Sequence, residues 1–341
     1  MAAPIYIAGS PLEWRDEDSA CLDIGLINNM PDPALQPTER QFRSLLGKAV
    51  PAGFTVRLAF FGMPEIPRTD VGANRVRRLY FPLDELWTRR IDGLIVTGTE
   101  PRTPALQDEP YWPALTHLLD WARDHTESTI LSCLAAHAAV LHLDGIERRP
   151  LANKRFGIFE CKRASHHELT LDGPMSVPMP HSRWNEIPED QLAARGYRVL
   201  TRSDEAGADA FVKDQGSKSL FVFLQGHPEY EADTLLLEYR RDVRRYLAGE
   251  RQTYPELPHG YFDDETAQTL SALQCRAETD RREELMAVFP TELALRRVTN
   301  SWRPAAVAFY RSWLTFLRAR KDRRIPPATR PARLSQTPAQ L

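Results

Sequence analysis

Cys133 lies in a stretch, LSCLAAH, whose residue types suggest covalent chemistry. The segment before it, STILS, is predicted to be a buried strand, and the segment after it, LAAHAAVLHLDGI, to be a helix that ends at Gly145. A cysteine on a tight strand-to-helix turn projects from the top of the sheet, and the helix N-terminus stabilises its thiolate. Backbone N–H groups there, beginning with that of Leu134, can hold an oxyanion. The turn therefore predicts a thiolate nucleophile.

A second segment, QGHPEY, carries the two residue types that such a nucleophile needs. His227 is a candidate general base, and Glu229, two residues later, is a candidate for orienting it. On an extended segment, residues i and i+2 point the same way, so both side chains can face Cys133 if their strand lies beside its strand. The alternative is a His-Pro turn with a solvated glutamate. The presence of Cys133 favours the catalytic interpretation.

The elements that would position these residues alternate along the chain. Strands are predicted at CLDIGLINNM, FTVRLAFF, IDGLIVTGTE and STILSC, and helices at ERQFRSLLGKAV, RVRRLYFPLDELWTRR and DEPYWPALTHLLDWARDH. The first of these helices is expected to stop at Gly47, and the third to be capped by Asp108. Three prolines make PDPALQPTE a predicted irregular loop. The alternation predicts an α/β fold with a doubly wound, mostly parallel sheet flanked by helices, and ligands at the carboxyl ends of its strands.

The chain is predicted to divide into four segments. Residues 1–20 are expected to form a loosely held leader, and residues 21–262 the α/β domain. A helical extension over 263–320, packed on the same domain, includes the amphipathic SWRPAAVAFYRSWLTFLRAR. The basic, proline-rich tail over 321–341 is expected to be disordered.

Composition excludes several classes of protein. The chain has 341 residues, 42% of them hydrophobic, which suffices for a large core, and a formal net charge of -2. This balance predicts binding neither to nucleic acid nor to an anionic membrane, and the absence of long apolar runs and of a signal peptide predicts a cytoplasmic protein. Four cysteines without a C-x-x-C pair or neighbouring histidines predict no disulfide framework and no metal site.

Several short segments together resemble the homoserine O-succinyltransferase family, which has a class I glutamine-amidotransferase-like fold. The resemblance runs in order from about Leu22 to about Leu317. The matching segments are IGLINNMP, ERQFRSLLG, IDGLIVTG, DEPYW, SCLAAHAAVLHLDGI, PHSRW, FVFLQGHPEYEADTLLLEYRRDV and SWRPAAVAFYRSWL.

The resemblance implies roles for individual residues. It implies that Cys133 forms an acyl thioester, that His227 is the general base and that Glu229 orients it. It also implies substrate contacts for Lys154 in NKRFG, Ser182 in PHSRW and Arg241 in YRRDV. An independent argument supports the last, since a guanidinium on the helix after the His-Glu strand can bind an α-carboxylate through two N–H groups. Without the resemblance, the other two would be interpreted as a solvated lysine and a turn serine.

The implied reaction is acyl transfer by a ping-pong route. An acyl-CoA, with succinyl-CoA the expected donor, would acylate the cysteine, and L-homoserine or L-serine would take the acyl group. No cofactor is expected, and the family implies a homodimer and a place in methionine biosynthesis. Two alternatives stay open: a serine or homoserine O-acetyltransferase, and a glutamine amidotransferase-type hydrolase. The second is disfavoured because the elbow lacks flanking glycines and no synthase domain is attached.

Four features depart from the family. Four residues past the TG of IDGLIVTG, where succinyl users have glycine and acetyl users glutamate, stands Arg102, which is expected to pair with the distal carboxylate of succinyl-CoA. The alternative is that it is exposed or pairs with Glu100 or Asp108. Asp32 and Pro33 replace a lysine after Met-Pro. Leu134 and His137 replace an aromatic residue and a glutamine; His137 is expected in the core. Residues 263–300 have no counterpart.

Overall fold

The computed structural model describes residues 5–7, 21–171 and 173–324 of the chain. Its centre is one sheet with the strand order β1-β3-β2-β4-β5-β10-β9-β8-β6-β7. The strands are β1 (Ile5–Ile7), β2 (Cys21–Ile27), β3 (Thr55–Phe61), β4 (Gly93–Val96), β5 (Ser128–Ser132), β6 (Arg149–Arg163), β7 (Ser176–Glu186), β8 (Arg198–Ser203), β9 (Gly207–Lys213) and β10 (Leu220–Leu224).

The sheet has a parallel half and an antiparallel half. Strands β1, β3, β2, β4, β5 and β10 pair in parallel, and β10, β9, β8, β6 and β7 pair antiparallel. Every residue of β2, β4, β5 and β10 is buried, as expected of central strands covered on both faces. The predicted α/β fold with a mostly parallel sheet is confirmed.

Ten α-helices surround the sheet within the described residues. They are α1 (Asp32–Ala49), α2 (Asp70–Leu79), α3 (Asp84–Trp87), α4 (Trp112–His125), α5 (Leu134–Asp144), α6 (Glu189–Ala194), α7 (Thr234–Leu247), α8 (Asp264–Thr279), α9 (Thr291–Arg297) and α10 (Arg303–Arg324). Two 3₁₀ helices span Leu106–Asp108 and Glu283–Val288. None of the α-helices in this part of the chain combines the length and hydropathy needed to cross a bilayer.

The segment PDPALQPTE is helical, and the prediction of an irregular loop was wrong. Helix α1 begins within it, with Pro33 in the first turn, where a missing N–H costs nothing. Pro37 lies inside the helix, yet the helix continues because its inner face buries residues such as Leu35, Phe42 and Leu46. For the same reason α1 does not stop at Gly47 and ends at Ala49.

The start of α4 also differs from the prediction. The predicted cap, Asp108, belongs to the 3₁₀ helix before α4, and the residue at the N-cap position is Tyr111. Pro113 stands in the first turn of α4, where its fixed φ favours helix initiation.

The C-terminal segments complete two different parts of the core. Helix α8 packs against α7 through a cluster that includes Tyr239, Leu270 and Trp302. Helix α10 instead covers the parallel half of the sheet, where the indole of Trp313 donates to Ser128 Oγ at 3.0 Å. Residues 263–320 thus serve two parts of the fold: α8 joins an outer group of helices, and α10 covers the central sheet.

Two segments near the ends of the chain lie closer to the sheet than the sequence suggested. Strand β1, within the predicted leader, pairs with β3; residues 1–4 and 8–20 lie outside the described residues. Lys321, the first residue of the predicted tail, lies in α10 and is buried. Its ammonium donates to Cys21 O at 2.6 Å and to Asp92 Oδ2 at 2.8 Å. Residues 325–341, for which disorder was predicted, lie outside the described residues.

Candidate active site

Cys133 occupies a strained turn between β5 and α5. Its φ of 50° and ψ of -112° make it the non-glycine residue with positive φ in the described chain. Its backbone N–H donates to Leu224 O, at the end of β10, at 2.7 Å. Such a left-handed backbone persists only where the surroundings fix it, and it frequently marks a functional residue. Cys133 is partly accessible to solvent, and Arg148 and Arg183 both interact electrostatically with it.

The N–H group expected to act as an oxyanion donor belongs to Leu134, at the start of α5. Leu134 is the first residue of α5, so its N–H has no acceptor within its own helix. The loop after β4 lies directly against it: a Cβ on Gly98 would be 3.0 Å from Leu134 N, so only glycine allows this approach without displacement. The loop therefore closes one side of the nucleophile turn.

His227 and Glu229 meet Cys133 because their strands are neighbours. Strands β5 and β10 pair in parallel with Ser132 opposite Leu224, so the segments that follow them leave the sheet side by side. His227 Nδ1 lies 2.8 Å from Glu229 Oε1, and Cys133 is the other group that acts electrostatically on the ring, whose Nε2 remains available for it. The predicted base thus lies between its nucleophile and its orienting carboxylate.

The charge around His227 favours its protonated form. Burial lowers the pKa of His227, but Glu229 and Cys133 raise it more strongly, so the pKa lies well above its usual value. The ring also stacks on Tyr230, with the centroids 4.3 Å apart. An imidazolium between a carboxylate and a sulfur is the arrangement that stabilises a thiolate.

Residues at the start of α10 and just before it fix the turn that carries His227. Three side chains donate to the carbonyl oxygen of Tyr230: Asn300 at 3.1 Å, Trp302 at 3.0 Å and Arg303 at 3.2 Å. A Cβ on Gly226 would lie 2.5 Å from Asp209 Oδ1, so glycine is required just before the histidine. Residues of the SWRP motif therefore hold the turn that carries His227 in place, a role that the sequence spacing did not predict.

We call Cys133, Leu134, His227 and Glu229 the floor of the site, and Lys154, Ser182, Glu238, Arg241 and Asp242 its wall. The floor comes from the ends of parallel strands, and the wall from β6, β7 and α7. Together they line a cavity of ≈560 Å³, which is large enough for a small-molecule substrate. The other lining residues include Thr97, Gly98, Glu100, Trp184, Arg245 and Arg251.

Glu238 and Asp242, which sequence reasoning missed, organise the wall. Glu238 accepts hydrogen bonds from the hydroxyls of Ser182 and Tyr230, each at 2.5 Å. Lys154 Nζ lies 3.5 Å from Glu238 and 3.3 Å from Asp242. Burial raises the pKa of Glu238, but Lys154 and the two hydroxyls together have the larger effect and bring the pKa below its usual value. The carboxyl is therefore ionised. Acidic residues four apart in LLLEYRRDV were the available sequence signal.

Arg241 lies at the edge of the wall. Its Nε and one terminal nitrogen donate to Asp242 Oδ1 at 3.0 and 2.9 Å, and its side chain is 48% exposed. The side chain is therefore ordered by a neighbouring carboxylate yet still accessible from the cavity.

Arg102 is the predicted site residue that the structure does not bring to the cavity. Its side chain is 47% exposed, and its guanidinium faces Glu109 Oε2 at 3.9 Å. Its backbone N–H also donates to Glu109, at 2.5 Å. The alternative interpretation, pairing with a nearby carboxylate, fits this position better, with Glu109 as the partner instead of Glu100 or Asp108.

Two other departures from the family also lie away from the cavity. Asp32 accepts hydrogen bonds from the backbone and hydroxyl of Thr69 at 2.7 and 2.6 Å, and pairs with Arg68 at 3.2 Å. His137 is buried in α5, and burial, with Arg183 and Arg148 adding to it, lowers its pKa to about 3. Its ring is therefore neutral, and its Nδ1 makes no hydrogen bond.

One cluster of side chains has the residue types of a metal site. Cys161, His181 and Asp209 are buried, with their ligand atoms within 4.8 Å of one another. Arg183 Nε donates to His181 Nδ1 at 3.4 Å, which leaves the proton of a neutral ring on Nε2, 3.3 Å from Asp209 Oδ1. With its Nδ1 occupied by Arg183, the histidine has no lone pair free for a metal in this arrangement, although Nε2 itself makes no hydrogen bond.

The fold and the site define an α/β protein with a cysteine, a histidine and a glutamate at the carboxyl ends of its central parallel strands. Comparison with known proteins gives the family. A sequence model of the homoserine O-succinyltransferase family matches residues 10–323. The chain belongs to this family.

Relatives named homoserine O-succinyltransferase match over nearly their whole length. Those of Methylorubrum extorquens and Rhodopseudomonas palustris are each 47% identical, over 90% and 89% of this chain respectively and 90% of each relative. The one of Bradyrhizobium japonicum is also 47% identical, over 89% of this chain and 92% of the relative. Among solved structures, a glutamine amidotransferase from Methylobacillus flagellatus is 13% identical over 87% of this chain and 95% of its own, with a TM-score of 0.46.

Proposed function

We propose that this chain is a homoserine O-succinyltransferase, which moves a succinyl group from succinyl-CoA to the hydroxyl of L-homoserine. The relatives that share 47% of its residues carry that name. The observation that carries the proposal is the position of His227 between Cys133 and Glu229 at the floor of a charged cavity. This arrangement suits a thioester nucleophile with a base that serves both halves of the reaction.

The first half-reaction forms an acyl enzyme. The Cys133 thiolate attacks the thioester carbonyl of the donor, and the carbonyl oxygen becomes an oxyanion that the Leu134 N–H stabilises. The bond to the CoA sulfur then breaks, and His227, protonated at Nε2, gives its proton to the departing thiolate. Free CoA and a succinyl–Cys133 thioester result, and His227 is left neutral.

The second half-reaction uses the neutral histidine as a base. His227 Nε2 takes the proton of the acceptor hydroxyl while its oxygen attacks the Cys133 thioester. The oxyanion collapses, the ester leaves, and the cysteine returns as a thiolate beside a protonated His227. Glu229 stays ionised throughout, keeps the ring in the required tautomer and stabilises its charge.

The wall supplies the groups that hold the acceptor. Arg241 is accessible from the cavity and offers a planar set of N–H donors to an α-carboxylate. Lys154 and Ser182 share Glu238, and this ionised carboxylate attracts the α-ammonium group of an amino acid. A zwitterionic substrate therefore finds both of its charges matched.

The remaining expectations form part of the same proposal. The enzyme takes small-molecule substrates, needs no cofactor beyond its acyl-CoA co-substrate, acts in the cytoplasm and forms a homodimer. Size-exclusion chromatography with light scattering tests the last point, and a monomer at micromolar concentration would contradict it.

Thiol release tests the proposed reaction. The purified protein is expected to release CoA from succinyl-CoA faster when L-homoserine is present, with O-succinylhomoserine as the product detected by mass spectrometry. Parallel assays use acetyl-CoA as donor and L-serine as acceptor, and a further assay measures ammonia from glutamine. Product formed from acetyl-CoA but not from succinyl-CoA would support the acetyltransferase alternative, with the preferred acceptor telling homoserine from serine. Ammonia release without acyl transfer would identify an amidotransferase.

A further inference from the structure

The basic side chains of the cavity are not equally available to a substrate. Within the described chain, four lysine and arginine side chains line it: Lys154, Arg241, Arg245 and Arg251. Three of them share one acceptor, because Lys154, Arg241 and Arg251 lie 3.3, 2.9 and 3.8 Å from the carboxylate of buried Asp242. Their positive charge is therefore already partly neutralised inside the protein.

Arg245 is held differently. It lies one turn beyond Arg241 on the same face of α7, and its ion-pair partner is Glu100 at 3.2 Å. The two side chains are 41% and 58% exposed, so water competes with their contact and the pair is weak. A ligand anion can replace such a partner far more readily than it can replace buried Asp242.

Glu100 places this pair near the end of the cavity that contains Cys133 and Leu134, where the acyl group would react. It follows Gly98 by two residues, and Gly98 contacts Leu134 at the oxyanion position. Two residues span at most about 7 Å, so the Glu100 backbone stays close to the place where a donor carbonyl would lie. Arg102, two residues further on, points to Glu109 instead. Arg245, on α7, is therefore a cation that contacts this loop, through its pair with Glu100.

We propose that Arg245 binds an anionic group of the acyl donor, and that Glu100 occupies its guanidinium in the free enzyme. The inference rests on the proposed acyl-transfer function. The donor carries two kinds of anion, the distal carboxylate of the succinyl group and the phosphates of CoA, and a guanidinium binds both. Donor binding then exchanges one ion-pair partner of Arg245 for another, without changing the contacts of Arg241 with Asp242.

Four donors separate the two sources of anion. Succinyl-CoA has both, acetyl-CoA has only phosphates, succinyl-N-acetylcysteamine has only the carboxylate, and acetyl-N-acetylcysteamine has neither. Donor KM is measured for each with wild type, Arg245→Gln, Glu100→Gln and the control Arg244→Gln. Arg244 is an exposed neighbour on α7 outside the cavity lining.

Opposite changes are expected for the two partners. Arg245→Gln should raise donor KM about tenfold or more for donors that carry the recognised anion, as loss of one charge-assisted contact predicts. Glu100→Gln should lower KM for the same donors, and Arg244→Gln should leave the ratios at their wild-type values. A rise confined to the two succinyl donors identifies the carboxylate, and one confined to the two CoA donors identifies the phosphates.

The inference is overturned if Arg245→Gln changes KM equally for all four donors, or for none. It is also overturned if Glu100→Gln and Arg245→Gln shift KM in the same direction. These results differ from failure of the proposed function, in which the wild type transfers an acyl group from no donor at all; that outcome would remove both proposals.

Discussion

The floor and the wall of the site are built on different principles. The floor follows from local geometry, because Cys133 and His227 each lie within three residues of the end of one of two adjacent parallel strands. The wall joins β6, β7 and α7, which are distant in sequence, and a network of charges holds it together. A floor of this kind holds a few side chains in one geometry, whereas a wall of ion pairs presents several charges to a substrate.

The largest effect is expected from removal of the proposed nucleophile, which should abolish turnover but leave substrate binding intact. Cys133→Ala is expected to lower kcat by about 10⁴-fold or more, because no other group can form the acyl thioester. Binding of L-homoserine, measured by calorimetry, should change little, since the wall is intact. CoA release close to the wild-type rate in this variant would contradict the catalytic roles proposed for all of the floor residues.

Within the floor, the base and its orienting residue should differ. His227→Ala is expected to cost roughly 10²-fold more in kcat than Glu229→Ala, because in the proposed mechanism the histidine transfers the protons and the glutamate orients it and stabilises its charge. Equal and small losses would show that the QGHPEY segment is an ordinary turn.

The wall should affect binding more than turnover. Arg241→Lys and Arg241→Ala are both expected to raise the KM for L-homoserine about tenfold to a hundredfold, since a point charge poorly replaces a planar fork on a carboxylate. The KM for succinyl-CoA should stay near its wild-type value. Unchanged acceptor KM in both variants would make Arg241 a surface residue.

The pH dependence of the free energy of unfolding tests the environment of His137, which is buried in α5. His137 is neutral when folded, with a pKa of about 3 against its usual 6.5, so the unfolded chain binds the extra proton between these values and stability rises with pH there. The free energy of unfolding of His137→Gln relative to wild type should therefore increase by about 2 kcal/mol between pH 8 and pH 5.

Urea denaturation at several pH values provides that comparison. Between pH 7 and pH 8 the ring is neutral in both states, so the difference between the two proteins should be nearly constant and serves as the internal control. A difference that also stays constant down to pH 5 would mean that His137 has the same pKa in the folded protein as in the unfolded chain.

The smallest effect is expected outside both regions. Arg102→Glu should change the ratio of kcat/KM for succinyl-CoA and acetyl-CoA by only about twofold, because an exposed side chain that faces Glu109 contributes little. A reversal of donor preference would mean that Arg102 contacts the acyl group. The loop after β4 would then also contribute residues to substrate binding.

This contrast also explains which features the sequence could predict. The floor was predictable because Cys133, His227 and Glu229 each belong to a short motif whose backbone is set by its own strand end. The pairing of Glu238 with Ser182 was not, since 56 residues separate them and only the tertiary fold brings them together. Charges that meet across the fold leave no local pattern.

The fold was predictable to a similar degree. Buried strands were recognised from their apolar runs, but PDPALQPTE was read from its prolines as a loop. Its apolar positions, Leu35 among them, face the core and outweigh the hydrogen bond that Pro37 cannot make. Likewise Lys321 looked like part of a basic tail, because its buried partner Asp92 lies 229 residues away.

The left-handed backbone of Cys133 has a consequence for engineering. A side chain at φ 50° costs of order 1–3 kcal/mol, and glycine is the residue that avoids this cost. The substitution that would relieve the most local strain is therefore also the one that removes the sulfur. Screens that select variants of this protein only for thermal resistance should enrich inactive chains at position 133, and activity must be selected alongside stability to keep the cysteine.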